Sequence, residues 1–351
     1  MQRREFLKYA GTAALATAPA IADTGKPRIK VGQIGVGHAH ATKLGVYRKS
    51  PDYEVVGIVE PDETLRKRTA LTPAFKDLPW MTREQLLNVP GLQAVLVETR
   101  VADLLDTAEA AVTAGKHVHI DKPPGDSLPK LRRILDAATK QKLMVQMGYM
   151  YRYNPGVVML RDFLKKGWLG EPFDVHTVMG KVVDAADRRE LARFPGGIMF
   201  ELGCHVLDVV VSVLGKPTAV TSHARHVGKA DDKLSDHMLG VFEFPKALAT
   251  VTASAVEVEG SARRHLVVCG TEGTFHIQPL DDPSARVALS RARDDYKRGY
   301  QEVKFPKFER YVADAADMAK VIRGEKASDY SAEHDVDVQE ALLKACGMGT
   351  E

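Results

Sequence analysis

The sequence predicts an α/β chain of two domains: a doubly wound parallel sheet first, then an α+β domain with an open, mainly antiparallel sheet. Three observations carry this. From Arg28 to Met147, short apolar β runs alternate with helical patterns. A glycine-rich turn, Gly32-Gln33-Ile34-Gly35-Val36-Gly37, joins the first strand to the first helix. After Gly148 the alternation stops and strand follows strand.

The run from Ile29 to Ile34 reads as the first strand, and a helix follows through Leu44 to Arg48. Ser50-Pro51 closes that helix, because proline cannot continue its hydrogen bonds. Glu54 to Val59 is the second strand. Thr82-Arg83-Glu84-Gln85 is a capping box that starts a helix through Leu87. Leu92 to Val97 reads as a buried strand, Ala102 to Ala114 as a helix with Gly115 beyond its end, and His117 to Ile120 as a strand. Leu128 to Lys140 is helical and Leu143 to Met147 extended. In the second half a helix over Val157 to Lys166 precedes strands at Asp174–Lys181, Ala219–Arg225, Leu239–Phe244, Ala247–Ala253, Leu266–Cys269 and Thr274–Ile277. Pro245-Lys246 and Thr271-Glu272-Gly273 are turns between them. A short helix over Val336 to Ala345 is expected last.

At 351 residues the chain suits two domains. We place residues 1–22 in a leader, 23–147 in the first domain and 148–351 in the second. The leader carries Arg3-Arg4 before Glu5-Phe6-Leu7-Lys8, a weakly apolar run from Tyr9 to Ala18, and Ala20-Ile21-Ala22 before Asp23. That order predicts export of a folded protein by the twin-arginine route, to a periplasmic or other extracytoplasmic location. The run is too short to span a bilayer. The formal charge of +3 falls to about +1 without the leader, which gives no electrostatic reason to expect nucleic acid or an anionic membrane. The three cysteines, Cys204, Cys269 and Cys346, form no disulfide framework and no zinc spacing.

The glycine turn has the context of a dinucleotide site, a strand–turn–helix in which backbone N–H groups and the helix N-terminus face a diphosphate. This marks the first domain as a Rossmann fold. Gly35, Val36, Gly37 and His38 form the expected loop, with His40 where the third glycine of the fingerprint would stand. Glu60 ends the second strand, where a carboxylate bonds a ribose 2′-hydroxyl and repels a 2′-phosphate. The expected cofactor is therefore NAD rather than NADP. Arg66 and Arg68 lie close behind. His38 and His40 are two apart, a spacing that does not converge on a helix, and no carboxylate or cysteine cluster accompanies them in sequence. No metal centre is expected.

Asp121-Lys122-Pro123-Pro124-Gly125 follows a buried strand at the carboxyl edge of the sheet, where ligands bind in such folds. A lysine there can bond a substrate hydroxyl and stabilise a developing alkoxide. Further on, Glu201 and His205 are i, i+4, so on a helix they share a face. A carboxylate beside an imidazole would orient it as an acid–base group.

Together these stretches resemble the glucose–fructose oxidoreductase / inositol dehydrogenase / MocA (Gfo/Idh/MocA) family. The resemblance rests on Gly115-Lys116-His117-Val118 leading to Asp121-Lys122-Pro123, on Tyr149-Met150-Tyr151-Arg152-Tyr153-Asn154-Pro155, and on Gly167-Trp168-Leu169-Gly170-Glu171. Gly196-Gly197 with Glu201 and His205, and Gly270-Thr271-Glu272-Gly273-Thr274, complete it. It implies Lys122 as catalytic lysine, His205 as acid/base and Glu201 as its partner carboxylate. Thr99 and Lys122 would lie at the cofactor's nicotinamide end, and Tyr149, Arg152, Arg193 and Cys204 at the substrate. The chain departs from the family in three places. Glu201 stands where Asp is usual, the Pro and His that usually follow Thr99 are missing, and Glu98 replaces a small or apolar residue.

The implied reaction moves a hydride between a carbon of a sugar, polyol or sugar derivative and the nicotinamide. Export of a folded protein favours a tightly held cofactor, loaded beforehand and recycled. Two alternatives stay open: a glycosidase or lyase that uses transient oxidation with no net redox, and a dinucleotide-binding protein without turnover. A homodimer or homotetramer is expected, because an open sheet leaves an outer face to cover.

Overall fold

The computed structural model describes residues 25–351, so the expected leader at residues 1–22 lies outside them. β1 (Ile29–Ile34), β2 (Tyr53–Val59), β3 (Trp80–Met81), β4 (Leu92–Val97), β5 (His117–Ile120) and β6 (Val145–Met147) form one sheet in the order β3-β2-β1-β4-β5-β6. Every pair in it is parallel. β1 and β4 are buried almost throughout because helices cover both faces of the sheet, which is why they read as apolar runs. The strand order reverses between β1 and β4, so the ends of these two strands open a crevice. The capping box at Thr82 is present, and Ser127 caps the helix Leu128–Lys140.

The second sheet contains β7 (Pro172–Gly180), β8 (Ala219–Arg225), β9 (His237–Phe244), β10 (Ala247–Ser254), β11 (His265–Gly270), β12 (Gly273–Ile277), β13 (Ser284–Leu289) and β14 (Gly299–Lys304). Their order is β14-β13-β12-β11-β7-β10-β9-β8. Neighbours are antiparallel except β7 and β10, which run parallel. The sheet is thus mixed and mainly antiparallel. The two fold classes expected from the sequence are both present.

Several short elements escape the sequence reading, and so do β13, β14 and one longer helix. β13 and β14 follow the cluster Pro279 to Pro283, which masked their alternation. The helix Val312–Ile322 carries its apolar face to the first domain. Ala315, Met318 and Ala319 are buried with Ile29, Leu44, Tyr47 and Tyr53, and the Tyr53 hydroxyl donates to the Ala315 carbonyl at 2.7 Å. The last helix begins at Ala332, capped by Ser331, and not at Val336. Its first turn is polar and acidic, which suits the positive end of a helix but hides it from an apolar pattern. The C-terminal chain therefore laces the two domains together. Among the described residues no helix is long and apolar enough to cross a membrane.

Candidate active site

The glycine loop lies at the ends of β1, β2 and β4. Gly35 has φ +93°, and a Cβ there would meet the Thr99 backbone nitrogen at 2.5 Å and the Glu98 carbonyl carbon at 2.6 Å. Only glycine lets the loop press against the end of β4. At Gly37 the nearest obstruction to a Cβ is a Leu65 methyl at 3.4 Å, and the residue is exposed, so a diphosphate has room over it. The Glu60 carboxylate accepts from the Val36 N–H and from the Asp62 N–H, each at 3.0 Å. It ties the loop to β2 and keeps lone pairs for a ribose hydroxyl. Thr99 starts the turn after β4, and its hydroxyl donates to the Arg100 carbonyl. These residues fit a dinucleotide.

Lys122 is the charged centre of the cleft. Its ammonium donates to the Glu201 carboxylate at 2.9 Å and to the Glu201 carbonyl at 2.9 Å. Lys122 is 1 % exposed. Burial opposes its charge, but Glu201 beside it holds the pKa above the ordinary lysine value. Burial likewise raises Glu201, and Lys122 more than offsets this and keeps it ionised. The expected Glu201–His205 pairing is not made. Met199–Gly203 is a π-helical turn, and the α-helix proper starts at Cys204. The i, i+4 rule belongs to an α-helix, and the wider turn directs Glu201 to Lys122. His205 is 1 % exposed, its Nδ1 has no hydrogen-bond partner, and burial pushes it well below the ordinary imidazole value. It is neutral at pH 7 and not an imidazolium supported by Glu201. Cys204 is buried beside it, with its thiol on the Glu201 carbonyl at 3.4 Å.

Around Lys122 lies a buried polar network that the sequence did not reveal. Asp121 accepts from the Lys122 N–H at 2.6 Å and from the Lys43 ammonium at 2.6 Å. His38 Nδ1 lies 3.2 Å and His40 Nδ1 3.1 Å from its carboxylate, and His38 Nε2 lies 3.1 Å from the Lys122 carbonyl. Burial raises Asp121, but His38, Lys43 and His40 together hold it well below the usual range. Glu98 sits 3.1 Å from Lys43 and is fully buried. Burial and the Asp121 charge push Glu98 well above the usual range. His119 joins Lys43 at 2.9 Å and Gln146 at 2.9 Å. The sequence signal was Glu98 itself, a carboxylate ending an apolar strand. Three histidines and two carboxylates scattered over 38–121 converge only in space.

Other expected residues sit elsewhere. Arg152 is 2 % exposed and bonds Asp208 through two nitrogens and Asp335 at 2.5 Å, between the rings of Tyr149 and Tyr330. Its guanidinium is spent on tying together segments of the second domain. Arg193 is largely exposed and pairs with Glu190. On the same segment as Arg193, Arg188 is held by Asp232 and Asp236, and Asp184 caps the helix Ala185–Leu191. Tyr149 remains at the cleft: its ring is 6.5 Å from His205, and its buried hydroxyl has no partner.

A Rossmann crevice with a buried lysine and a neutral imidazole at its mouth defines a nicotinamide-dependent oxidoreductase. The family of oxidoreductases with an NAD-binding Rossmann fold, Gfo/Idh/MocA, matches residues 29–149, and its C-terminal domain matches residues 157–276. The chain belongs to the Gfo/Idh/MocA family. It is 26% identical over 263 residues to the uncharacterized oxidoreductase YdgJ of Escherichia coli, covering 74% of each chain. It is 26% identical over 220 residues to the inositol 2-dehydrogenase of Salmonella paratyphi B, a match over 61% of this chain and 64% of that enzyme. Its fold is similar to that of an oxidoreductase from Agrobacterium radiobacter in complex with NAD+, L-tartaric acid and magnesium, with a TM-score of 0.77 and 16% identity over 92% of this chain and 97% of that one. UDP-N-acetylglucosamine 3-dehydrogenase GnnA from Acidithiobacillus ferrooxidans gives a TM-score of 0.74 and 18% identity over 91% and 97%.

Proposed function

We propose that this oxidoreductase acts on a secondary hydroxyl of a sugar, polyol or sugar derivative, uses NAD, and holds the cofactor through repeated turnovers. The observation that carries the reading is the pairing of buried Lys122 with neutral, buried His205 beside a loop shaped for a dinucleotide. Bound there, NAD supplies the hydride acceptor. Lys122 spends two of its three donors on Glu201, and the third is available to the substrate oxygen. The ammonium stabilises negative charge on that oxygen in a site closed to water. His205, neutral at pH 7, takes the hydroxyl proton. Glu60 favours NAD, since a 2′-phosphate would face its carboxylate. The inositol and sugar-nucleotide dehydrogenases among the relatives support a polyhydroxylated substrate. Export through the twin-arginine leader fits a cofactor loaded before transport, and a dimer or tetramer built on the second sheet fits its open face.

A second reading has support from Tyr149. Its partnerless phenol near His205 stays protonated, because burial raises it well above its ordinary value, and it can supply the extra proton that elimination of a glycosidic oxygen would need.

The test is mass spectrometry of the denatured mature protein, followed by a panel of polyols, hexoses and glycosides. Stoichiometric co-purifying NAD and reduced-nicotinamide absorbance on adding a sugar are expected. His205→Asn and Lys122→Met should lower turnover by about 10²- to 10⁴-fold while NAD stays bound. Full turnover in both variants would refute the assignment. Net cleavage without net redox would favour the second reading. Fusing residues 1–22 to a reporter, with and without Arg3→Lys and Arg4→Lys, tests export.

A further inference from the structure

We propose that His38, His40 and Asp121 form a binding site for a divalent transition-metal ion, best suited to zinc, beneath the glycine loop. The site is built from this chain's own side chains and stands whatever sugar the enzyme turns over.

The geometry is that of a ligand set. Zinc bonds of about 2.0–2.1 Å place neighbouring tetrahedral donors roughly 3.4 Å apart. His40 Nδ1 is 3.1 Å from Asp121 Oδ1, and His38 Nδ1 is 3.2 Å from Asp121 Oδ2. Glu98 Oε2, at 3.8 Å from His38 Nδ1, is the nearest donor for a fourth position. The histidines, two apart in sequence, converge because they precede the helix: the first helical turn starts at Ala41, and the two rings meet edge to face at 5.1 Å. That removes the objection raised from spacing, and Asp121 and Glu98 remove the objection that no carboxylate accompanies them.

The surroundings have the pattern of a metal's outer shell. His38 Nε2 points at the Lys122 carbonyl at 3.1 Å, the partner a metal-bound histidine takes on its far nitrogen. With Nε2 donating, the Nδ1 lone pair faces both the His40 backbone N–H and an Asp121 oxygen, each at 3.2 Å, and a cation between Nδ1 and the carboxylate would join them. Glu98 is 0 % exposed, and neither of its oxygens accepts a hydrogen bond. Two carboxylates, Asp121 and Glu98, share one ammonium, Lys43, since Lys122 is committed to Glu201.

Two other groups of potential ligands occur among the described residues, and each already contains a cation. Lys43 lies among Glu98, His119 and Asp121, at 3.1, 2.9 and 2.6 Å. Arg152 lies on Asp208 and Asp335, beside His334. Lys43 also reaches the His38–His40–Asp121 group, at 2.6 Å from Asp121 Oδ2, but among the described residues no lysine or arginine side chain is bonded to either imidazole. Two imidazole nitrogens favour zinc over magnesium or calcium. His40, with 17% of its side chain exposed, gives the ion a way in.

The test uses the untagged full chain, stripped with a chelator and titrated with Co²⁺ as a spectroscopic probe. One ion per chain, the strong visible bands of tetrahedral cobalt, displacement by Zn²⁺ and a raised Tm with Zn²⁺ are expected. His40→Gln and His38→Gln should each weaken binding at least about tenfold, and His265→Gln on the second sheet should leave it unchanged. Wild-type protein with a native circular dichroism spectrum that binds no stoichiometric Co²⁺ overturns the proposal. So do tetrahedral bands that survive both substitutions, or weak binding that only His265→Gln removes.

Discussion

Replacing Glu201 by Gln removes the one carboxylate bonded to the Lys122 ammonium while keeping the side chain's size and an acceptor oxygen. At 2.9 Å and an effective dielectric constant near 20, the lost attraction is about 6 kcal/mol in gross terms. The net cost is smaller, because the glutamine oxygen and the Glu201 backbone carbonyl still accept from Nζ and the position is 19% exposed on its side chain. About 3 kcal/mol, the lower end for a broken buried pair, is expected at pH 7. The sign with pH follows from Lys122. In the wild type its folded pKa lies above the unfolded value, so it stabilises the fold below pH ~10.4 and the benefit is lost as pH rises through the folded value. In Glu201→Gln burial, the largest influence on Lys122, is offset only by the weaker pull of Cys204 and Asp121, so its pKa falls and the ammonium becomes a liability at neutral pH. The deficit should therefore narrow as pH rises from about 7 toward about 10. Urea unfolding of both proteins at several pH values measures this. Glu201→Asp, which keeps the charge, should recover most of the loss. Equal midpoints for wild type and Glu201→Gln across the range would show that the pair does not hold the ammonium.

Three further outcomes follow from the same geometry. Asp208→Asn leaves buried Arg152 with Asp335 as its remaining anionic partner and should cost about 3 kcal/mol in urea unfolding, with no change in NAD content. Gly35→Ala places a methyl 2.5 Å from the Thr99 nitrogen at positive φ; a loss of about 1–3 kcal/mol and loss of co-purifying NAD are expected by calorimetry and mass spectrometry. Asp314 is pushed up to about 7 by burial, and its Oδ2 has no hydrogen-bond partner. An acid whose folded pKa is raised loses stability for the protein as pH climbs from about 4 to about 7. Asp314→Asn should thus stabilise the chain at pH 8, by up to about 4 kcal/mol, and leave it unchanged at pH 4.

Much of the fold was legible because its signals are local. Apolar runs bounded by caps and prolines located β1, β2, β4 and β5 to within a residue or so, since burial on both faces favours apolar side chains at most positions. The helix Val312–Ile322 was missed because its buried face is largely alanine and methionine, and what it covers lies almost 300 residues earlier in the chain. Arg152 looked like a substrate ligand because a sequence shows charge and not what neutralises it; Asp208 and Asp335 are 56 and 183 residues away.

The sequence by itself determined the two sheet types and the glycine loop, and offered Lys122, Glu201 and His205 as candidates, because each depends on a short stretch of chain and its periodicity. Tertiary structure decided the pairings. A π-helical turn at Met199–Gly203 gave Glu201 to Lys122 instead of His205, and left that imidazole neutral. The ends of β4 and β5 brought Glu98 and Asp121 to His38, His40 and Lys43. Charge in a buried site is set by the groups a few ångströms away, and sequence separation carries no record of those distances.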